Sequence, residues 1–235
     1  MPTLHMDLRR QIVAQALECC RLGLNQGTSG NLSARTAGGM LITPTATPYE
    51  RLKPAMIAHM TLDRENWTGP LKPSSEWRFH RDLYLARTDA GAVVHTHSTY
   101  ATALSMLRRD IPAVHYMIAA FGGPSVRCTN YAPYGTQALS DLVVEGIKDR
   151  TGVLLGNHGM IVIGGDLEEA MWRAVELETL AKQFWISSMA GTPIVLPDDE
   201  IMRTVERFKS YGVAKASAAK RDTKTGARKR PFRNT

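Results

Sequence analysis

One stretch limits what this chain can become: Ala92-Val93-Val94-His95-Thr96-His97-Ser98, near the middle of the sequence. Two β-branched residues lead into two histidines separated by one position. In an extended strand successive side chains alternate between faces, so His95 and His97 share one. Two imidazoles on one face, roughly 6–7 Å apart along the strand, can grip one metal ion from the same side. A His-x-His pair alone also occurs on ordinary half-buried strands, so the remaining ligands must come from elsewhere in the chain.

Around this strand the pattern alternates between helix and strand. Apolar residues at helical spacing run from Asp7 to Leu22, closed by Gly23. The glycine-hydroxyl segment Gly27-Thr28-Ser29-Gly30-Asn31 leads into a short strand ending near Arg35. Met40 to Thr43 reads as its return across Gly38-Gly39. Pro44 to Pro48 is a turn, and Met56 to Leu62 a strand, with Lys53-Pro54-Ala55 able to begin a short helix. A helix opens at Pro73-Ser74-Ser75-Glu76, with the serines as natural N-caps, and continues to Arg87. Beyond the His95 strand the periodicity predicts a helix over 99–107 and an apolar stretch over 111–118. A helix over 135–148 and strands over 152–155 and 160–163 follow, then helices over 166–188 and 197–209. Glycine-rich hairpins within this alternation point to an α/β chain, a mixed or antiparallel sheet covered by helices on both sides.

Three groups of residues carry candidate chemistry. His158, in the turn Gly156-Asn157-His158-Gly159, would complete a set of three neutral nitrogen ligands with His95 and His97, the usual protein complement of an open zinc site. Glu76 admits two readings, a first-turn or capping-box acid and a base or fourth metal ligand; spacing alone does not place it beside His95. Thr28, Ser29, Asn31, Thr43, Thr45, Ser74 and Ser75 would together make an anion cradle of hydroxyls and backbone N–H groups. Singly they are ordinary turn residues. They match neither a P-loop nor G-x-G-x-x-G, which excludes the usual ATP and dinucleotide readings.

Composition bears on partners and compartment. The net charge of +7 is concentrated at one end: of 29 basic and 22 acidic residues, eight basic and one acidic lie from Ala214 onward, leaving the body balanced. Such a segment reads as a solvated tail before it reads as a nucleic-acid arm. No apolar run is long enough to span a bilayer, the first residues lack a secretion pattern, and the three cysteines form no disulfide framework or C-x-x-C site. The expectation is a cytoplasmic protein with no membrane partner, with one domain over 1–212 and a basic low-complexity tail over 213–235.

Taken together, Gly23 to Asn31, Leu41-Ile42-Thr43-Pro44-Thr45, Ser74-Ser75-Glu76-Trp77-Arg78-Phe79-His80, Val93 to His97 and Asn157-His158-Gly159 occur in the order of the zinc-dependent class II aldolase/adducin family, which the chain resembles from about residue 7 to Tyr211. The resemblance implies a three-layer α/β/α sandwich around a mixed, largely antiparallel sheet, and a homotetramer with active sites between subunits. It implies Zn²⁺ on His95, His97 and His158, with Glu76 as the resting fourth ligand and the acid/base once substrate displaces it. Thr28, Asn31, Thr45, Ser74 and Ser75 would bind a substrate phosphate. Tyr116 resembles a tyrosine donated by the neighbouring subunit, and Tyr211 one that closes over the site. The implied reaction is reversible cleavage of a ketose 1-phosphate, such as L-fuculose 1-phosphate or a related deoxy sugar phosphate, into dihydroxyacetone phosphate and an aldehyde. On the same metal site the family also offers a sugar-phosphate 4-epimerase, a 5-deoxy- or 5-methylthio-ribulose-phosphate salvage aldolase, a decarboxylase of an oxo-acid phosphate, and an adducin-like binding module. Ala46 departs from the aldolase pattern, which has glycine after Thr-Pro-Thr.

Overall fold

The structure, a computed structural model, describes residues 5–210. Its centre is a seven-stranded sheet built from β1 (Asn31–Thr36), β2 (Gly39–Ile42), β3 (Ala58–Thr61), β4 (Trp67–Thr68), β5 (Ala92–Thr96), β8 (Gly152–Leu155) and β9 (Gly159–Gly164), while β6 (Ile111–Pro112) and β7 (Ser125–Val126) form a small separate ribbon. The strand order is β4-β3-β2-β1-β5-β9-β8, and every ladder is antiparallel. Among the described residues the only parallel pairing is an isolated bridge between Cys128 and Leu154.

Alternation along the strands sorts side chains into two cores. Leu32, Ala34, Leu41, Ala92, Val94, Met160 and Val162 face one side, with apolar residues of α1 (Met6–Arg21), α3 (Thr99–Met106), α5 (Leu167–Ala190) and α6 (Asp198–Ser210). Met40, Ile42, Val93, Ile161 and Ile163 face the other, against α2 (Trp77–Ala86) and α4 (Gln137–Gly146). The result is the three-layer α/β/α sandwich, with the sheet buried on both faces as its near-continuous apolar strands require. Two helix starts are locally encoded: the Asp166 side chain accepts from Glu169 N–H at the start of α5, and Thr136 from Leu139 N–H at the start of α4.

The structure corrects several local expectations. The segment over 56–62 narrows to β3, because Pro54–Met56 winds into a 3-10 turn. β4, only two exposed residues long, has no apolar alternation to announce it. The apolar stretch over 111–118 splits into β6 and a 3-10 segment over Tyr116–Phe121, since it packs beneath α6 and α5 instead of joining the sheet. Ser74 and Ser75 do not cap α2 in the usual way. Glu76 itself occupies the N-cap position with its carboxylate turned inward, and Ser74 Oγ accepts from the Glu76 N–H at 3.3 Å. Among the described residues no helix is long and apolar enough to cross a membrane.

Candidate metal centre

β5 is central in the sheet, hydrogen-bonded to β1 on one side and β9 on the other. Its register sets the site. Val93 faces the α2 layer, so His95 and His97, two and four residues on, face it too. Cross-strand pairing places Asn31 opposite His95 and Ser33 opposite Val93, which brings both polar side chains of β1 to the same face. Glu76 enters from the start of α2. His158 enters from the β8–β9 turn, where Asn157 takes the left-handed conformation (φ 57°) and the His158 N–H reaches Leu155 O at 3.0 Å. Gly159 is required at this crossing, because a Cβ there would collide with the Thr96 carbonyl and crowd the His97 ring.

Four potential ligand atoms, one each from Glu76, His95, His97 and His158, lie within 4.8 Å of one another. His95 Nε2 is 3.1 Å from His97 Nε2 and 3.3 Å from Glu76 Oε2, and His158 Nε2 is 3.2 Å from Glu76 Oε1. The three rings meet edge to face with centroids 4.8–4.9 Å apart. His95 Nδ1 donates to Met160 O at 2.9 Å, which turns Nε2 toward the cluster. Oε1 of Glu76 is buried without a hydrogen-bond donor. One carboxylate and three imidazoles converging in this way need a positive charge between them. The place a shared proton would take is the place a divalent cation takes, so the residues fit a metal ion with three nitrogen ligands and one oxygen.

Electrostatics agree with that fit. Burial works against ionisation of Glu76, but the attraction of His95, then of His158, and the Asn31 hydrogen bond outweigh it and hold the carboxyl below its usual range. Burial, followed by the proximity of His95, pulls His97 down to about 4 and His158 to about 3. Burial and His95 likewise pull His80, on α2, down to about 3. These three rings stay neutral in the folded chain at pH values where a free imidazole, with its ordinary value of 6.5, is charged. The unfolded chain therefore binds more protons, and stability is lost as pH falls from about 6.5 toward 4, by up to about 1.4 kcal/mol per pH unit for each ring. Glu76 adds a loss of the same sign below 4.5. Thermal unfolding of chelator-treated protein at pH 7.5, 6 and 5 should show a progressive fall in Tm; a flat profile would mean that the rings are already protonated in the folded state.

The cluster opens onto a cleft of 360 Å³ whose lining includes Thr28, Asn31, Thr45, Ser74, Ser75 and His97. Its floor joins two segments: Thr45 N–H reaches Lys72 O at 3.1 Å, Ser74 N–H reaches Thr43 O at 3.0 Å, and Pro44 bridges to Pro73. Thr28, Ser29, Gly30, Asn31, Thr45, Ser74 and Ser75 thus share a cleft with the metal ligands, whereas Thr43 is buried, its hydroxyl oxygen accepting from Leu32 N–H at 3.2 Å, and does not join them. Asn31 is more committed than the others, since its amide bonds Glu76 and His80. Ala46, also in the lining, holds φ 49° without being glycine, so the departure from the family pattern falls where the backbone is left-handed. Tyr131 and Tyr134 line the cleft as well, and no periodic or motif signal in the sequence marks them. His80 was visible only as part of the Glu76 motif; its spacing of four from Glu76 was the available signal. Tyr116 stands apart from this cleft. It is 53% exposed and lines a second groove with Trp172, Arg173 and Phe208. Tyr211 lies outside the described residues.

Comparison with known proteins gives a consistent picture. The sequence profile of the family described as Class II Aldolase and Adducin N-terminal domain matches residues 10–185. The chain is 50% identical over 208 residues to the L-fuculose phosphate aldolase of Escherichia coli K12, covering 88% of this chain and 96% of that protein. It is 45% identical over 212 residues to a 5-methylthioribulose-1-phosphate/5-deoxyribulose-1-phosphate aldolase of Rhodospirillum rubrum, covering 90% and 96%. A solved structure of an L-fuculose 1-phosphate aldolase superposes with a TM-score of 0.84 at 36% identity, covering 86% of this chain and 96% of that one.

Proposed function

The chain belongs to the class II aldolase and adducin family and is a metal-dependent carbon–carbon lyase, and from that premise we propose that it is a zinc-dependent aldolase of the cytoplasm, assembled as a homotetramer, that reversibly cleaves L-fuculose 1-phosphate or a related deoxy ketose 1-phosphate into dihydroxyacetone phosphate and an aldehyde. The observation that carries this reading is the convergence of Glu76, His95, His97 and His158 at the end of a cleft lined by hydroxyls. Residues 1–212 form the catalytic domain in this reading, and 213–235 a basic tail outside it.

His95, His97 and His158 would hold the ion, with Glu76 as a fourth ligand that substrate displaces. When bound, the ion supplies Lewis-acid stabilisation of negative charge developing on the ketose oxygens. Glu76 then has the task of moving a proton to and from the carbon next to the carbonyl, as general base and acid. Its buried Oε1, which accepts no hydrogen bond, suits that task. Thr28, Thr45, Ser74, Ser75 and the remaining amide N–H of Asn31 would hold the phosphate, anchoring the end that does not react so that the reacting carbons are oriented. Tyr116, exposed and away from its own chain's cleft, would be donated in trans to the aldehyde-side oxygen. Tyr211 would close over the site.

Metal content, followed by a coupled assay for dihydroxyacetone phosphate from L-fuculose 1-phosphate with and without chelator, tests the reading. Chelator-sensitive release supports it; bound zinc with no release would overturn aldol cleavage of this substrate. The 45% identity to the Rhodospirillum rubrum aldolase favours 5-methylthio- or 5-deoxyribulose 1-phosphate as the second substrate to assay. Ala46→Gly tests the cradle. Relief of a left-handed alanine and the larger unfolded-state entropy of glycine oppose one another, so stability should change by less than about 1 kcal/mol. KM should fall by roughly two- to fivefold, because the backbone N–H can approach the phosphate without a Cβ. An unchanged KM would remove Ala46 from the phosphate site.

A further inference from the structure

A line of hydrogen bonds runs inward from Glu76 through the layer between the sheet and α2. Asn31 Nδ2 donates to Glu76 Oε2 at 3.0 Å, and Asn31 Oδ1 lies 2.5 Å from His80 Nε2. His80 Nδ1 lies 2.7 Å from Ser33 Oγ, and Ser33 Oγ lies 2.8 Å from the Tyr84 hydroxyl. The Val93 backbone is a further partner of that hydroxyl. None of the five side-chain residues is more than 7% exposed.

The two ends determine the direction of every proton between them. An ionised carboxylate only accepts, so Asn31 presents its NH₂ to Glu76 and its oxygen to His80. That oxygen only accepts, so the single proton of a neutral His80 sits on Nε2 and Nδ1 is bare. The bare nitrogen accepts from Ser33, and Ser33 accepts from Tyr84. Burial keeps His80 neutral, as this assignment needs. Each buried group thereby has a partner, and reversing any one link would leave two donors or two acceptors facing each other without water to relieve them.

We infer that His80 is a positioning residue for the proton transfer: by fixing the orientation of Asn31 it pins Oε2 of Glu76 and leaves Oε1 as the oxygen that exchanges the proton with substrate. The inference rests on the reading of Glu76 as acid/base. It divides the carboxylate into a held oxygen and a working one. Oε1, which lacks a donor, is the oxygen that points away from this line of bonds toward His158.

Two measurements on the full-length, zinc-loaded protein test it. In ¹⁵N-histidine-labelled protein the His80 ring, identified by its disappearance in His80→Gln, should show the Nε2–H tautomer. An Nδ1–H tautomer or a charged ring would reverse the line and overturn the inference. The second measurement is exchange of the carbon-bound proton of dihydroxyacetone phosphate with deuterated water, which reads proton transfer without an aldehyde. His80→Leu should lower this rate and kcat by roughly 10–100-fold at unchanged zinc stoichiometry, with a smaller rise in KM through the Asn31 N–H that faces the phosphate, and His80→Gln, which keeps a donor toward Asn31, should recover part of the loss. If His80→Leu fails to fold, Ser33→Ala takes its place: it frees Nδ1 and should lower exchange and kcat together at unchanged zinc stoichiometry. Native exchange per zinc-loaded site in these variants, or a loss that only follows lost zinc, overturns the inference. Native exchange in Glu76→Gln would instead overturn the role of Glu76 itself, whatever tautomer His80 shows.

Discussion

His97→Ala should leave the protein folded, reduce bound metal to a small fraction of the native content after dialysis, and lower turnover by about three orders of magnitude or more. The fold should survive because His97 lies just beyond the last residue of β5 and contributes no ladder hydrogen bond. The metal should not survive, because its Nε2 is 3.1 Å from that of His95 and no other described side chain stands ready to replace it among the four converging ligands. Losing the ion removes several kcal/mol of charge stabilisation in the transition state, which corresponds to that fall in rate. Metal analysis and the coupled assay check both halves. Native metal content in the variant would mean that His97 is not a ligand.

Glu76→Gln should give the complementary result, with substantial metal retained and turnover reduced by roughly 10²–10⁴-fold. Glutamine keeps the shape, and its oxygen can still accept from Asn31 Nδ2, but it can neither take nor give the proton. The three imidazoles remain as ligands. A metal loss as complete as that of His97→Ala would show that Glu76 serves mainly to hold the ion.

Much of this arrangement is legible in the sequence, for definite physical reasons. Alternation in Val93-Val94-His95-Thr96-His97 fixed which side chains share a face, and the structure puts them on the face covered by α2. The hairpin across Gly38-Gly39 was visible because its turn needs a left-handed residue, which Gly38 supplies at φ 73°. Helices on both sides of the sheet followed from the alternation of helices with strands joined by glycine-rich hairpins, and the three-layer sandwich from the family resemblance. What stayed hidden depended on register and on partners distant in sequence. Nothing within Ser74-Ser75-Glu76 says that its carboxylate will meet His95, 19 positions on; that requires β1 to pair with β5 and α2 to lie across both. The same dependence hid the role of His80, whose partners Asn31 and Ser33 reach it only through that pairing. Tyr131 and Tyr134 come from a loop whose course no periodicity records. The short elements β4, β6 and β7 carry two residues each, too few to show a pattern.

The order of strands β1-β5-β9 has a kinetic consequence. β5 pairs with β1 some 60 positions before it and with β9 a similar distance after it, so the ligands come from both sides of contacts that close late and slowly. Among the described residues, no single hairpin or helix carries two of the four ligands; only the His95–His97 segment does. The ion should therefore meet its full set of donors only after the long-range pairing is finished, with metal capture following folding instead of templating it. Refolding should proceed at the same rate with or without metal, while resistance of the finished protein to unfolding should rise with metal occupancy.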